Sequence, residues 1–449
     1  MVIVAAYTSS NERPHQARAT NDYMQTYLGL GSNIGDRREN LRCGIAALEK
    51  GGVAVRRVSP VVESPALLPP DAPSDWNLPF LNLVLDAQTQ DESQALRHKI
   101  KTIEQSLGRS HDNRWAPRAL DIDILLWGDE RIETETLTIP HRDVHRRSFV
   151  LTPLVALAPR LRLPGRPEKT ILDWSRSLDD HIPLWMGIIN VTPDSFSDGG
   201  SFMDWAAVQP QLEAMLNAGV NIVDIGAEST RPGAEPITAT EEWRRLEPIL
   251  APLQERLTGD PLRPLVSVDT YHPETARLAL ERDVDIINDV SGLTNPAMID
   301  LARSSRADWV AMHSLSVPVD KHRTLPAGES AYAAVESWLV ERLDDWDNAG
   351  LDLNRVIFDP GVGFGKDALQ SLELLRSAGR FRHLGLRVLL GHSRKSFFGN
   401  LTGASAEDRD LATVGASLAL CEQGIDILRV HNVPLHAEAY RGWSHALTS

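Results

Sequence analysis

The chain has 449 residues, 42% hydrophobic and 24% charged, with a formal net charge of -15. That length exceeds one ordinary core and points to two or three domains, while the acidic balance excludes broad electrostatic attraction to nucleic acid or anionic lipid. Cys43 and Cys421 are the only cysteines and stand apart from any CxxC partner, which excludes a disulfide framework, and no apolar run is long enough to span a bilayer.

Residues 1–24 hold no periodic element beyond VIVAAY and are read as a tail. Glu12 and Asp22 weigh against an organelle address, so a cytoplasmic location is expected, with a mitochondrial one as the alternative if the tail serves as an address.

The first module is placed at 25–165. YLGLGSNIGD reads as a strand entering a glycine-rich turn, followed by the helical pattern RRENLRCGIAALEK. The turn is neither a Walker A loop nor GxGxxG. Strand-like VRRVSPVVES, a proline-rich loop, the strand FLNLVLDAQT and the amphipathic helix ESQALRHKIKTIEQSLG follow, which predicts an α+β sandwich.

Its chemistry gathers in GRSHDNRWAPRALDIDILLWG and IPHRDVHRRSF. Side chains alternate along ALDIDILLW, so Asp121 and Asp123 share a face about 7 Å apart while Ile122 and Ile124 pack behind. Two carboxylates at that spacing suit magnesium, which keeps waters and bridges to substrate phosphates. Arg109, Arg114, Arg118, His141, Arg142, Arg146 and Arg147 crowd the pair in sequence, with Trp115 among them. Guanidinium forks match phosphate oxygens, so the combination predicts phosphoryl transfer with an acceptor hydroxyl attacking directly.

GSN, the FLN strand and RWxPRxLDIDIL followed by IPH resemble the 6-hydroxymethyl-7,8-dihydropterin pyrophosphokinase family over Tyr27 to Leu163. The resemblance implies a ferredoxin-like fold and transfer of the β,γ-diphosphate of ATP to the pterin hydroxymethyl group. It also implies that Asp121 and Asp123 hold two Mg²⁺, that Arg109 and Arg118 assist the transfer, and that Glu104, Arg114, Trp115, Arg118, His141 and Arg147 serve ATP. Ser64, Pro65, Phe80, Asn82 and Phe149 are implied for the pterin, the two phenylalanines as faces for a flat bicycle. Arg142 departs from the aromatic residue frequent in the family.

Residues 166–182, rich in proline and charge, are expected to be a linker, although ILDW within it is able to pack on either module. From 183 to 449 eight apolar runs recur: LWMGIIN, NIVDIG, PLVSVD, DIIND, WVAM, RVIFD, RVLLG and DILRV. Each ends in polar residues and helical spacing separates them, so the rhythm is that of a (βα)₈ barrel. Parallel strands gather their ends on one face, and Asn190, Thr230, Arg231, Asp269, Asn288, His313, Asp359, Lys395, Arg429 and His431 are expected to converge there.

NVTPDSFSDGG, GAESTRPGA, SVDT, INDVSG, DPGVGFGK, GHSRKS and RVHN resemble the dihydropteroate synthase family over 183–449. That resemblance implies condensation of the pterin diphosphate with p-aminobenzoate and release of diphosphate. Asp269, Asn288, Asp359, Lys395, Arg429 and His431 are implied for the pterin diphosphate, with Lys395 and Asp269 assisting the reaction. Asn190 is implied as ligand of one Mg²⁺, and Phe196, Thr230, Arg231 and Ser393 as the frame for p-aminobenzoate. Dimerisation through barrel helices is a family expectation. His392, beside Ser393, is a departure. Two other readings stay open: a pterin-binding methyltransferase-like barrel, with no diphosphate to release, and a catalytically silent pterin-binding scaffold.

Overall fold

A computed structural model describes residues 23–108, 115–192, 205–230, 233–320, 322–405 and 407–447. The tail expected at 1–24 therefore falls almost wholly outside the described residues.

The first module opens with β1 (Met24–Ser32), α1 (Arg37–Lys50), β2 (Ala54–Val58), β3 (Val62–Ser64), β4 (Phe80–Thr89), α2 (Ser93–Ser106) and β5 (Asp121–Trp127). The strand-like VRRVSPVVES is thus two strands, parted where Ser59 donates its backbone N–H to Val84 and its hydroxyl receives Val84 N–H in return. The short pair β6 (Ile132–Glu133) and β7 (Thr138–Ile139) follows, then α3 (Ser148–Leu157), the hairpin β8 (Arg162–Leu163) and β9 (Arg166–Thr170), and α4 (Ile171–Arg176). The main sheet runs β2-β4-β1-β5, antiparallel throughout, with β3 beside β4, the order of a ferredoxin-like sandwich.

Both faces of this sheet are covered. Leu41, Ile45 and Leu48 of α1 and Leu96 and Ile100 of α2 pack on Leu28, Leu30 and Leu85, all buried, and each such side chain removed from water contributes about 1.5–3 kcal/mol. On the other face Leu151 and Leu154 of α3 meet Val84 and Leu125. Asp36 starts α1 by accepting the backbone N–H of Glu39 at 3.0 Å.

The segment expected as a linker is folded. β9 pairs with β8, and α4 starts on a capping box in which Thr170 and Asp173 exchange hydrogen bonds. Ile171 and Leu172 are fully buried in the α3 core, so proline and charge concealed a two-residue apolar anchor behind a strong helix start.

The second module is a closed parallel barrel of eight strands, all eight where the apolar runs place them. Strands β10 (Leu184–Asn190), β11 (Ile222–Gly226), β12 (Leu265–Asp269) and β13 (Ile286–Asp289) are joined through α5 (Trp205–Asn217), α6 (Ala239–Leu257) and α7 (Pro273–Glu281). After α8 (Pro296–Ser304) come β14 (Asp308–Met312), α9 (Ala331–Asn348), β15 (Val356–Asp359), α10 (Ala368–Ser377) and β16 (Arg387–Leu390). The circle closes through α11 (Ser396–Thr402), α12 (Asp410–Glu422) and β17 (Ile427–Val430), which pairs with β10, and α13 (Val433–Leu447) follows.

The first module caps the barrel's N-terminal face. Val62 of β3 shares a buried cluster with Leu184, Met186, Ile222 and Ile427, at the N-terminal ends of barrel strands. Polar contacts fix the seam: Asn221 Nδ2 donates to Val61 O at 2.7 Å, Thr152 Oγ1 to Ile182 O at 3.3 Å, and Arg42 pairs with Asp260 at 2.9 Å. No helix among the described residues is long and apolar enough to cross a membrane.

Candidate active sites

In the first module the cleft forms where α3 stops covering the sheet. Leu125 packs beneath α3, and Asp123 and Asp121 continue along the same face beyond it. Their neighbours in register on β1 are Gly29 and Gly31, which leave the strand bare beside both carboxylates. A Cβ on Gly31 would stand 3.1 Å from Asn82 Oδ1 and 3.4 Å from the Phe80 ring, so glycine keeps the cleft floor clear.

Ser64, Pro65, Phe80, Asn82, Trp115, Arg118, Asp121, Asp123, Arg147 and Phe149 all line this cavity. Asn82 Nδ2 donates to Ser64 Oγ at 3.0 Å, which fixes one wall. The guanidinium of Arg118 lies 5.8 Å from the Phe80 ring centre and that of Arg147 5.8 Å from the Phe149 ring centre, so each aromatic wall is backed by a cation. Arg118 also approaches Asp121 at 3.3 Å. His141 Nδ1 accepts the Asp143 N–H at 3.3 Å, which assigns its proton to Nε2, the nitrogen 3.9 Å from Asp123. Desolvation and the adjacent Asp121 charge raise the Asp123 pKa above the ordinary carboxylate range, with His141 pulling the other way.

Glu104 is buried at the junction of α2 and β5. Its buried carboxylate accepts Ile122 N–H at 2.9 Å and pairs with Lys101 at 2.7 Å, tying α2 to the back of β5. Arg109 and Arg114 lie outside the described residues. Asn33 is a residue sequence reasoning passes over: its Oδ1 accepts Arg118 N–H at 2.7 Å and its N–H donates to Arg118 O at 3.2 Å. The GSN turn thereby clamps the backbone that presents Arg118.

In the barrel the strand ends bring together Asp269, Asn288, Asp359, Arg429 and, on the following turns, Lys395, Ser393 and His431. Arg429 Nη2 lies 2.7 Å from Asp269 and 2.6 Å from Asp224, a fully buried residue not anticipated from sequence. Asp224 stands inside an apolar strand rather than at its end, and its signal was the inward parity it shares with Gly226. Burial pushes Asp269 up to about 7 against the pull of Arg429, with Asp224, Glu242 and Asp289 adding like-charge repulsion. Asp359 is also raised by burial, opposed by the Gly361 N–H that its Oδ1 accepts at 2.7 Å and by Lys395.

Gly361 sits at φ +67°, where a Cβ would fall 1.9 Å from His313 O, so the turn after β15 admits glycine alone. Lys395 Nζ stands 4.2 Å from the Phe364 ring centre. His431 Nδ1 and Ser393 Oγ are 2.9 Å apart. Thr230 O accepts Val319 N–H at 3.5 Å. Asn190 ends β10 opposite Gly226. Phe196 and Arg231 lie outside the described residues.

Two strand-end histidines face inward instead. His313 Nδ1 meets the buried Lys366 Nζ at 2.6 Å, and burial with that cation lowers its pKa to about 3, so it is a neutral acceptor. His392 is fully buried with Nε2 2.9 Å from Ser417 Oγ, and burial lowers it to about 4, which makes it a packing residue behind the mouth.

Among the described residues no three His, Cys, Asp or Glu side chains converge as a metal cluster. The donor chemistry still fits magnesium in the first module, because two carboxylates suffice when phosphate and water complete the shell. In the barrel the single Asn190 amide offers one protein donor of the same kind.

The model of the 7,8-dihydro-6-hydroxymethylpterin-pyrophosphokinase family matches residues 27–159, and that of the pterin binding enzymes matches 186–431. A folate synthesis bifunctional protein of Chlamydia muridarum is 38% identical over 426 residues, spanning 90% of this chain and 94% of its own. A mitochondrial folate synthesis bifunctional protein of Arabidopsis thaliana is 34% identical, spanning 92% and 82%. A dihydropteroate synthase of Xanthomonas albilineans solved with 4-aminobenzoic acid superposes with TM-score 0.54 at 36% identity, over 60% of this chain and 94% of its own. One from Anaplasma phagocytophilum with bound 6-hydroxymethylpterin-monophosphate gives 0.54 at 37%, over 59% and 99%. Matched by both family models and by bifunctional relatives over nine-tenths of its length, the chain belongs to the bifunctional folate synthesis family and carries both the pyrophosphokinase and the dihydropteroate synthase domain.

Proposed function

We propose that the first cleft binds the pterin between Phe80 and Phe149, with Asn82 and Ser64 at its polar edge, and ATP toward Asp121, Asp123, Trp115, His141 and Arg147. The aspartate pair supports this reading most directly, because two carboxylates on one strand face, one with a raised pKa, are poised for divalent charge. Asp121 and Asp123 would hold magnesium, two ions by the family pattern, which would supply positive charge to offset that of the ATP phosphates. Arg118 and Arg147 grip phosphate oxygens and hold the β-phosphorus in line with the pterin hydroxyl. That hydroxyl forms the new O–P bond, its proton leaves to solvent, and AMP departs. Arg109 and Arg114, outside the described residues, are proposed to join the grip.

In the barrel, Asp359 accepts the paired N–H donors of the pterin edge, with Asn288 and Asp269 beside it, while Lys395 faces the acceptor edge. Arg429 and His431 receive the diphosphate, and one magnesium at Asn190 would share its charge. Cations around the departing diphosphate let the C–O bond break before the weak aryl amine attacks, the amine proton being lost as the C–N bond forms. Thr230 and Ser393 frame p-aminobenzoate, with Phe196 and Arg231 proposed from the undescribed loops. A second copy is proposed to dock on the barrel helices, where Leu369, Leu401 and Leu411 are 78%, 60% and 76% exposed on α10, α11 and α12; light scattering of Leu411→Asp should report a monomer.

The decisive assay gives the purified chain ATP, hydroxymethyldihydropterin and p-aminobenzoate with magnesium and follows AMP and dihydropteroate separately. Failure of either product in folded protein overturns the reading of that module.

A further inference from the structure

Asp224 lies within β11, beside Ser267 of β12 in register, and is fully buried. A carboxylate removed from water is costly unless its lone pairs are met. Here they are met by three donors. Oδ1 accepts the Ser267 hydroxyl at 2.6 Å, and Oδ2 accepts Asn288 Nδ2 at 3.3 Å and Arg429 Nε at 2.7 Å. Two of the three belong to residues at the barrel mouth. Buried pairs elsewhere among the described residues, Arg382 with Asp426 at 3.2 Å and Arg387 with Asp308 at 2.8 Å, engage no residue of either site.

We propose that Asp224 is a positioning residue of the synthase reaction: its carboxylate holds the Arg429 guanidinium and the Asn288 amide in the orientation that receives the pterin diphosphate. The proposal rests on reading the barrel mouth as the pterin diphosphate site. Arg429 is drawn by three carboxylates, Asp224, Asp269 and Asp359. Asp269 and Asp359 are needed by the pterin edge, and a guanidinium that folded onto them would occupy their acceptors. Arg429 already meets Asp269 Oδ2 at 2.7 Å, and Asp224 supplies the second counter-charge that keeps Arg429 neutralised and held when Asp269 turns to the pterin edge. With Nε and Nη2 turned to carboxylates, Nη1 is the edge that meets the anion. Ser267 and Asn288 prevent the Asp224 carboxylate itself from turning.

The test compares Asp224→Asn with wild type, because asparagine keeps the shape and removes the charge. Supplied with pterin diphosphate and p-aminobenzoate, the variant should lose about 10²-fold in kcat/KM, the scale of a misplaced binding group. A purely structural role would leave the pH profile in place; a positioning role moves it. Asp269 is faced by Arg429, Asp224, Glu242 and Asp289. Removing the Asp224 charge deletes one repulsion and gives Arg429 wholly to Asp269, so the acid limb of pterin diphosphate binding shifts to lower pH. AMP formation by the same protein should be unchanged and reports that the chain is folded. Ser267→Ala, a smaller lesion on the same carboxylate, should lower kcat/KM several-fold while AMP formation is unchanged. Wild-type kcat/KM and an unmoved acid limb in Asp224→Asn overturn the proposal, as does full activity in Ser267→Ala should the first variant fail to fold. If wild type itself makes no dihydropteroate, it is the reading of the barrel mouth that fails.

Discussion

The two sites handle charge in opposite ways. In the first module Asp121 and Asp123 stand as like charges on one strand face, and the Asp123 side chain is 41% exposed. In the barrel every acid at the mouth already has a partner: Asp269 and Asp224 share Arg429, and Asp359 accepts Gly361 N–H. In the cleft Arg118, 3.3 Å from Asp121, and His141, 3.9 Å from Asp123, offset part of the negative charge and arriving cations act on the rest, whereas in the barrel a ligand must displace internal partners such as Arg429 on Asp269. Metal dependence should accordingly be steeper for the kinase step.

The largest effect expected is on that step. Asp121→Ala removes half of the carboxylate pair, and AMP formation should fall by about 10³-fold or more, the upper scale for loss of a preorganised electrostatic group. Dihydropteroate formation from preformed pterin diphosphate should persist, since the barrel mouth lies on the face away from the docked module. Loss of both activities in a folded protein would erase the contrast between the sites. Lys395→Ala should act in reverse, removing the cation proposed to face the pterin's acceptor edge at a cost of ~3 kcal/mol, or about 10²-fold in kcat. Turnover near wild type would remove Lys395 from the chemistry.

A pH effect of intermediate size follows from Asp269. Its folded value of about 7 is raised, so the folded state holds the proton more tightly than the unfolded chain. The stability it contributes is fully present below the unfolded value near 3.9 and is lost as pH rises through about 7. Pterin diphosphate affinity runs the other way, because only the ionised carboxylate accepts donors with both oxygens. Calorimetric titrations between pH 5 and 8 should show binding that weakens toward acid while the melting temperature does not fall with it. Parallel movement of both would assign the limb to another group.

Much of this was legible in the sequence because its signals are local. Eight apolar runs ending in polar residues fixed the barrel, and the alternation of ALDIDILLW put Asp121 and Asp123 on one face. What was not legible depends on tertiary distance. Glu104, assigned to ATP by resemblance, also ties α2 to the back of β5, a contact no local pattern shows because a helix residue's facing is decided by what packs on it. His313 ends a strand like its neighbours but is taken up by Lys366, fifty-three residues later in the chain. Asp224 looked like one polar interruption of an apolar strand, and its partners come from three other strands. The apparent linker failed for another reason, as two buried residues, Ile171 and Leu172, outweighed the composition of the rest.

The smallest effect expected tests whether the modules are independent despite their firm contact. Arg42 meets Asp260 through two bonds of 2.9 Å across the seam, with side chains 35% and 33% exposed. Partly exposed pairs are screened and pay to order two side chains, so Arg42→Ala should cost under about 1 kcal/mol. The apolar contact of Val62 with the barrel floor does more to hold the seam, and Val62→Ala should cost about 2 kcal/mol through lost burial and the cavity left behind. A double-mutant cycle on Arg42 and Asp260 isolates the pair from other changes at the seam. Neither product should change in Arg42→Ala, because the pair touches no residue of either site. If AMP formation falls while dihydropteroate formation holds, the barrel floor is acting on the cleft through β3, whose Val62 lies two residues from Ser64 on the cleft wall.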